Sequence, residues 1–307
     1  MSVPALRGLL KRRRPAYIAA RLARRFCPEI VAQRFLSRRG VSVRDLYDCT
    51  TRTYLAGITE GGAAALFAPD ASLTVLEAGT GFYNPASAPL LLSGVTRLVL
   101  LEPFIGAHPD YDRFRSRFDE LLDFARRDEA YALPRNDVSL DGAEKSGLPR
   151  GVEVSTSFWE DTGLPVASVD AVFSSSVLEH LRDPDGVLRE CSRIVRPGGF
   201  MINVVDMRDH FFRYPLEMLK YSQAGWERLT TSSGGSGYQN RWRIGRWIDA
   251  LAGHGFDTTA IPICESEELA ASEKPFLHAD FRDLPLEQLR VLAATLVSRR
   301  RGQEDAR

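Results

Sequence analysis

A histidine with two acids close by is the clearest acid–base group in this chain of 307 residues. Residues 204–210 read Val-Val-Asp-Met-Arg-Asp-His, an apolar run that ends in polar side chains. His210 is the candidate general base, because imidazole exchanges a proton near neutral pH, and Asp206 or Asp209 could orient its ring. His210 could instead contact a substrate or be structural. The three side chains could alternatively hold a divalent cation, but ligands so close in sequence form no recognised cage, and we predict no metal site.

Two glycines separated by one residue follow an earlier apolar run, residues 73–78. Gly79 and Gly81 let the backbone turn sharply and approach a ligand closely. Glu102 ends the next apolar run, where a carboxylate can accept hydrogen bonds from both hydroxyls of a ribose. A dinucleotide-binding turn usually has a third glycine, but this chain has Asn84-Pro85 there, which is typical of a helix start. The pattern therefore favours a nucleoside cofactor without a pyrophosphate.

Short apolar runs of β type alternate with amphipathic segments along most of the chain. This alternation is typical of a parallel sheet covered by helices on both faces. We predict an α/β fold with a doubly wound, seven-stranded, mostly parallel sheet that binds ligands at the carboxyl ends of its strands. The predicted strands are Leu73–Ala78, Arg97–Leu101, Val152–Thr156, Asp170–Ser174, Phe200–Val205, Phe256–Ile263 and Val291–Ser298.

Helices are predicted before the sheet, over 47–67, and within the connections between strands. The long connection at about 103–150 contains an amphipathic helix over 111–127. The connection at about 206–243 is rich in aromatic residues. Because long connections in compact domains tend to be binding loops, we expect this insertion to act as a lid. A further helix is expected over 183–195, with an Asp N-cap followed by Pro.

Charge is unevenly distributed along a chain whose net charge is zero. Residues 1–45 carry twelve Lys or Arg against two acids. We predict a basic N-terminal helical arm over 1–46 and one domain with insertions over 47–307. The arm could pack on the acidic body or bind an anionic membrane surface. Cysteines without a paired motif, and the lack of a secretory signal or a long apolar stretch, indicate a cytoplasmic location, with peripheral attachment to the inner membrane face as a hypothesis.

Four motifs in this order resemble the class I S-adenosylmethionine-dependent methyltransferases of the type 11 group, over about residues 70–265. They are Glu-Ala-Gly-Thr-Gly at 77–81, Glu-Asp-Thr-Gly-Leu-Pro at 160–165, Val-Asp-Ala-Val-Phe-Ser-Ser-Ser-Val-Leu-Glu-His at 169–180 and Arg-Pro-Gly-Gly-Phe at 196–200. The Arg-Asp-His-Phe turn at 208–211 resembles a bacterial subset of that group with loose links to saccharide and cell-surface biosynthesis. The resemblance implies a Rossmann-like methyltransferase fold and S-adenosylmethionine as the cofactor.

The resemblance also assigns cofactor contacts to residues at the ends of the strands. It places Glu77 near the methionine moiety, either Glu160 or Asp161 against adenine, and residues 174–176 along the methionine arm. The predicted cofactor-binding residues are Glu77, Gly79, Thr80, Gly81, Glu102, Pro103, Glu160, Asp161, Ser174 and Ser175. For the acceptor, aromatic rings near Asn and Arg side chains suit a polyhydroxylated or anionic molecule, although these residues could instead pack the insertion onto the core. The predicted substrate-binding residues are Arg208, Tyr238, Asn240 and Arg241.

We therefore expect a methyltransferase that acts on a hydroxyl of a small molecule or a saccharide, with His210 removing the proton during in-line displacement. The alternatives are methylation of a nitrogen or carbon atom, a lipid, a protein or RNA, and a non-catalytic cofactor-binding scaffold. Because the catalytic body is acidic, no specific nucleic-acid partner is expected. A homodimer is a further hypothesis.

Overall fold

The structure is a computed structural model in which residues 42–68, 70–81, 83–105, 110–136, 148–230 and 238–302 are described. The predicted basic arm lies outside the described residues over 1–41, and so does Phe82 in the glycine turn. Within the described ranges the chain divides into two compact units. The sheet unit contains residues from 42–206, 244–264 and 293–302, and the helical unit contains residues from 207–243 and 265–292.

A seven-stranded sheet is formed, as the sequence predicts. Its strands are β1 (Leu73–Ala78), β2 (Val95–Leu101), β3 (Val152–Ser155), β4 (Val169–Ser175), β5 (Val195–Asp206), β6 (Phe256–Glu265) and β7 (Val291–Arg300). Their order across the sheet is β3-β2-β1-β4-β5-β7-β6. The first five strands run parallel, and β7 is antiparallel to β5. The doubly wound, mostly parallel sheet is therefore confirmed. The strand order runs outward from β1 toward β3 on one side and from β4 toward β5 on the other. In sheets of this kind, ligands bind beside that change of direction, at the carboxyl ends of the strands.

The α-helices are, in chain order, α1 (Val43–Leu46), α2 (Arg52–Glu60), α3 (Tyr111–Arg127), α4 (Pro184–Ile194), α5 (Gln223–Thr230), α6 (Ile244–Gly253), α7 (Glu267–Glu273), α8 (Ala279–Arg282) and α9 (Leu286–Arg290). A π-helical turn, Tyr47–Thr51, joins α1 to α2. Short 3₁₀ segments cover Ala64–Leu66, Ala88–Ser93, Leu178–His180, Glu217–Lys220 and Lys274–Phe276. Among the described residues, no helix is both long enough and apolar enough to cross a bilayer.

Helix α3 has the predicted bounds because its capping and its apolar spacing agree. Asp110 is the N-cap, and its side chain accepts a hydrogen bond from the amide of Arg113 at 3.0 Å. The buried face contains Phe114, Phe118, Leu121, Leu122 and Ala125, which recur at helical spacing. The same agreement holds for α4, where the Asp183 side chain accepts from the amide of Gly186 at 2.9 Å. Both helices belong to the sheet unit.

Two local predictions are wrong, and one predicted helix ends a residue earlier than expected. The helix expected over 47–67 ends at Glu60, where a glycine pair follows and only a 3₁₀ turn remains. The helix expected over 183–195 ends one residue early, because Val195 begins β5. Asn84 does not begin a helix: its side chain donates to the carbonyl of Gly81 and accepts from Arg117 at 2.6 Å, so it is not available as an N-cap. The next helical segment, Ala88–Ser93, follows Ser87 instead.

The helical unit has an aromatic core of its own. The rings of Phe212 and Tyr221 are stacked with centroids 5.4 Å apart. Trp226 is fully buried, and its indole nitrogen donates to the carbonyl of Gln239 at 2.7 Å. The aromatic residues that suggested a binding insertion are thus partly used to build this core.

Candidate functional site

The glycine turn directly follows β1. Gly79 has φ +71°, and its amide donates to the carbonyl of Leu101 at 2.8 Å. A Cβ at this position would lie 2.4 Å from Cγ2 of Val177. Residue 79 must therefore be glycine both for its backbone conformation and for the close approach of the segment that follows β4.

Glu102 is fixed beside this turn by two backbone amides. Oε2 accepts from the amide of Gly81 at 2.8 Å, and Oε1 accepts from the amide of Phe104 at 3.2 Å. The side chain is buried, and Pro103 beside it is half-buried. Since each carboxylate oxygen can accept more than one hydrogen bond, Glu102 retains the capacity to bind a diol.

Glu77 lies deeper, at the end of β1, and is almost completely buried. Oε2 accepts from both the amide and the hydroxyl of Ser87, at 3.0 and 2.5 Å. Oε1 faces the hydroxyl of Tyr54 on α2 at 3.4 Å. Burial raises the pKa of Glu77 to about 7, and the hydrogen bonds from Ser87 oppose this rise.

The carboxyl ends of β1, β2 and β4 meet, because Ala78 pairs with Leu101 on one side and with Ser174 on the other. Ser174 is buried and donates to Oδ1 of Asn203 at 2.7 Å, while Ser175 is half-buried. Among the described residues, the buried Oγ1 of Thr80 has no hydrogen-bond partner. Buried polar atoms without partners are rare in folded proteins, so this atom fits a polar ligand at the turn.

A residue of helix α4 binds the segment that is predicted to contact adenine. Glu160 and Asp161 are both exposed, and the structure does not distinguish between them. Thr162, next in the chain, donates its amide and its hydroxyl to Oε1 of Glu190, at 3.0 and 2.5 Å. Arg193 donates to both oxygens of Glu190, at 2.7 Å each. Burial alone would raise the pKa of Glu190, but hydrogen bonds from Arg193 and Thr162 outweigh burial, so the pKa is lowered.

Two exposed aromatic rings near these acids were missed in the sequence. Phe104 is 69% exposed and lies just after Glu102, and Phe158 is 59% exposed and lies just before Glu160. Their ring centroids are 6.1 Å apart in an edge-to-face arrangement. Large exposed rings offer a surface on which a nucleobase can stack. The available signal was an aromatic residue close in sequence to each predicted cofactor-binding acid.

Asp206 ends β5 and is linked to a buried carboxyl. The amide of Asp206 donates to Oε1 of Glu179 at 3.3 Å. Burial, with a smaller contribution from the charge of Asp206, raises the pKa of Glu179 to about 8. Oε2 of Glu179 is buried and has no partner among the described residues. A protonated Glu179 at neutral pH therefore follows from this geometry.

The other two residues of the predicted acid–base group belong to the helical unit. The amide of His210 donates to Oε1 of Gln239 at 2.7 Å, and Nε2 of Gln239 donates to the carbonyl of Arg208 at 2.8 Å. Asp209 is buried and accepts from the amides of Phe212 and Arg213 in its own turn. Burial raises the pKa of Asp209 to about 7. The catalytic roles of Asp206, Asp209 and His210 stay predictions.

The predicted acceptor-binding residues also have contacts within the helical unit. The guanidinium of Arg241 donates to the carbonyls of Met218 and Tyr221, at 3.2 and 2.6 Å, and lies over the ring of Phe281 at 4.8 Å. Burial lowers the pKa of Arg241 to about 10. Asn240 accepts from the amide of Trp242 at 3.1 Å, Tyr238 is buried and Arg208 is exposed. These contacts give Arg241 a packing role, and the acceptor role of the four residues stays a prediction.

A pyrophosphate fits this site poorly. Phosphate-binding turns lead into an α-helix whose free amides face the ligand. In the described residues between this turn and β2, the helical segment is the 3₁₀ segment Ala88–Ser93, and the amide of Ser87 is already bound to the carboxyl of Glu77. The strand-end Glu102, the glycine turn and the exposed rings instead suit a nucleoside whose link to its second half contains no phosphate.

Residues 120–203 match the model of the type 11 family described as "Methyltransferase domain". The fold is that of class I methyltransferases. The donor and acceptor groups around the turn fit S-adenosylmethionine.

The similar proteins align with different shares of this chain. The ubiquinone biosynthesis O-methyltransferase of Methylocella silvestris is 44% identical over 69 residues, which are 22% of this chain and 26% of that protein. The aligned region is thus about a quarter of the relative's length. The structure of an S-adenosylmethionine-dependent methyltransferase from Mesorhizobium loti covers 80% of this chain and 100% of its own, at 16% identity and a TM-score of 0.44. One from Methanosarcina mazei covers 75% and 93%, at 13% identity and a TM-score of 0.41.

Proposed function

We propose that the chain is an S-adenosylmethionine-dependent methyltransferase that acts on a hydroxyl of a small molecule or a saccharide. The contact between Glu102 and the amide of Gly81 is the main support for this proposal, because it holds a carboxylate that can accept from a diol beside a turn unsuited to phosphates. The match of residues 120–203 to a methyltransferase domain supports it.

The chain's own residues supply the binding chemistry. When bound, S-adenosylmethionine supplies a methyl group on a positively charged sulfur, and its transfer is an in-line displacement. Glu102 would accept hydrogen bonds from the ribose hydroxyls, and Phe104 and Phe158 would stack on adenine. Glu160 or Asp161 would accept from the adenine amino group, and Thr80, Ser174 and Ser175 would follow the methionine arm.

A hydroxyl acceptor also needs a base. In this proposal His210, which follows β5 closely in the chain, removes the hydroxyl proton, and Asp206 or Asp209 orients the imidazole. Arg208, Tyr238, Asn240 and Arg241 are the proposed acceptor contacts. The aligned relative, whose name assigns it to O-methylation in ubiquinone biosynthesis, supports a hydroxyl acceptor.

Methyl transfer from labelled S-adenosylmethionine tests the proposal. The purified chain would be incubated with a phenol and catechol panel, a saccharide panel, and an amine panel as the comparison. Label in a hydroxyl panel that is lost on His210→Ala supports the proposal. Label only in the amines would contradict a hydroxyl acceptor, and cofactor binding without transfer to any panel would favour the scaffold alternative.

A further inference from the structure

A second contact around the cofactor turn joins Glu77 to Ser87. The two residues bracket the turn, since Glu77 lies in β1 and Ser87 precedes the 3₁₀ segment Ala88–Ser93. A single oxygen, Oε2 of Glu77, receives both the amide and the hydroxyl of Ser87, at 3.0 and 2.5 Å. Ser87 is 0% exposed and Glu77 is 2% exposed. The contact therefore closes the chain into a loop that contains the whole glycine turn.

The end of this loop next to Ser87 also makes a hydrogen bond to the helical segment that precedes the sheet. The hydroxyl of Thr51, in the π-helical turn, donates to the carbonyl of Ala86 at 2.7 Å. Within the loop, the amide of Asn84 donates to the carbonyl of Thr80 at 2.9 Å. These contacts leave the loop few alternative conformations between its two ends.

Both oxygens of Glu77 accept hydrogen bonds from other protein groups. One oxygen is occupied by Ser87, and the other faces Tyr54, whose ring packs on Phe173 with centroids 5.0 Å apart. Glu77 is 2% exposed, and the hydrogen bonds of its carboxyl to Ser87 and Tyr54 fix its position within the protein. Burial raises the pKa of Glu77 to about 7, as expected for a carboxyl removed from solvent.

We propose that Glu77 and Ser87 are positioning residues, whose contact holds the turn Gly79–Gly81 in its cofactor-binding conformation, and that Glu77 does not itself touch the cofactor. Holding a loop in its bound conformation increases affinity because less conformational entropy is lost on binding. The inference rests on the proposed cofactor binding and gives the strand-one acid a specific task within it.

Replacement of Glu77 by two different residues distinguishes positioning from direct contact. In Glu77→Gln the amide oxygen can still accept both donors of Ser87, so the dissociation constant for S-adenosylhomocysteine should stay within about threefold of the wild-type value. In Glu77→Ala both acceptors are lost, and affinity should fall by about tenfold or more. Isothermal titration calorimetry measures both constants, and the thermal midpoint reports folding.

A serine pair gives a matched control. Ser87→Ala removes one buried hydrogen bond to a carboxyl, and affinity should fall about fivefold or more. Ser93 ends the same 3₁₀ segment, is also buried, and bonds to the hydroxyl of Tyr131 at 2.8 Å. Ser93→Ala should lower the thermal midpoint and leave the affinity unchanged.

The results that would contradict the inference differ from the result that would contradict the proposed function. If Glu77→Gln loses as much affinity as Glu77→Ala, the charge of Glu77 acts on the cofactor and the inference is wrong. If Glu77→Ala does not fold, equal affinities for Ser87→Ala and Ser93→Ala overturn the inference on their own. Absence of binding by the wild-type chain would instead contradict the proposed function, and the inference with it.

Discussion

Thr162 donates both its backbone amide and its hydroxyl to one oxygen of Glu190, at 3.0 and 2.5 Å. Ser87 makes the same pair of contacts with Glu77. At the proposed cofactor site, each of two segments is therefore fixed in the same way. One residue with a side-chain hydroxyl donates two hydrogen bonds to a buried carboxyl. Glu190 differs from Glu77 because Arg193 binds it and lowers its pKa, so that it is ionised at neutral pH.

The Thr162–Glu190 contact should contribute to cofactor affinity. Thr162→Val removes the hydroxyl and keeps the amide bond, so affinity for S-adenosylhomocysteine should fall about fivefold, equivalent to about 1 kcal/mol. Thr258→Val is the control, because the Thr258 hydroxyl bonds at 3.0 Å to Ser298 on strands β6 and β7, at the other edge of the sheet from β3. Calorimetry on both variants checks this, and equal affinities would remove Thr162 from the site.

Gly79 should tolerate no side chain. In Gly79→Ala the added Cβ would meet Val177 at 2.4 Å in a backbone conformation with φ +71°, so the turn should shift and cofactor binding should fall by at least about tenfold. Gly253→Ala is the matched control, since nothing lies within 4 Å of its Cβ position at the end of α6. Differential scanning fluorimetry with and without S-adenosylhomocysteine compares the two variants, and a ligand-induced stabilisation equal to wild type in Gly79→Ala would show that the turn is not part of the site.

His210 should affect turnover rather than cofactor binding. His210→Ala removes the proposed base, and kcat with a hydroxyl acceptor should fall by about a hundredfold or more, while affinity for S-adenosylhomocysteine is unchanged. His254→Ala is the control, since that imidazole pairs with Asp185 at 3.3 Å. Unchanged kcat in His210→Ala would exclude it as the base.

The raised pKa of Glu179 predicts a pH-dependent stability. An unfolded chain releases this proton near the ordinary pKa of 4.5, whereas the folded chain retains it until about pH 8. The folded state therefore binds more protons across this window, and Glu179 lowers the free energy of unfolding as the pH rises, by at most about 1.4 kcal/mol per pH unit. Asp206 faces Glu179 and strengthens the effect while it is ionised.

The substitution Glu179→Gln keeps the shape of the side chain and removes the carboxyl that titrates. Its thermal midpoint should fall less than that of the wild type between about pH 5.5 and pH 8, because the contribution of Glu179 is absent. Thermal denaturation at a series of pH values gives both curves. Parallel curves would show that Glu179 does not titrate in this window.

The sheet could be predicted from sequence because its information is local. Buried parallel strands appear as continuous apolar runs, and α3 and α4 carry both capping acids and apolar spacing. The polar ends of β1 and β2 also made Gly79 and Glu102 candidate ligand contacts, since strand ends of this fold bind ligands. Each of these features depends on residues within a single strand or helix.

The contacts that position the site could not be predicted in this way. Ser87 and Glu190 matter through partners that are distant in sequence, so neither has a local signature. Asn84 shows the same limit, because its contacts with Gly81 and Arg117 override its preference for a helix start. Phe104 and Phe158 resembled ordinary apolar residues until the fold left them exposed as a pair.

Cofactor binding at the glycine turn is best tested by calorimetric titration of the wild-type chain and of Glu102→Ala with S-adenosylhomocysteine, with NAD as the control ligand. We expect that the wild type binds S-adenosylhomocysteine and not NAD, and that Glu102→Ala, which loses the acceptor beside Gly81, binds at least about tenfold more weakly. Binding of NAD alone, or equal binding by wild type and Glu102→Ala, would contradict it.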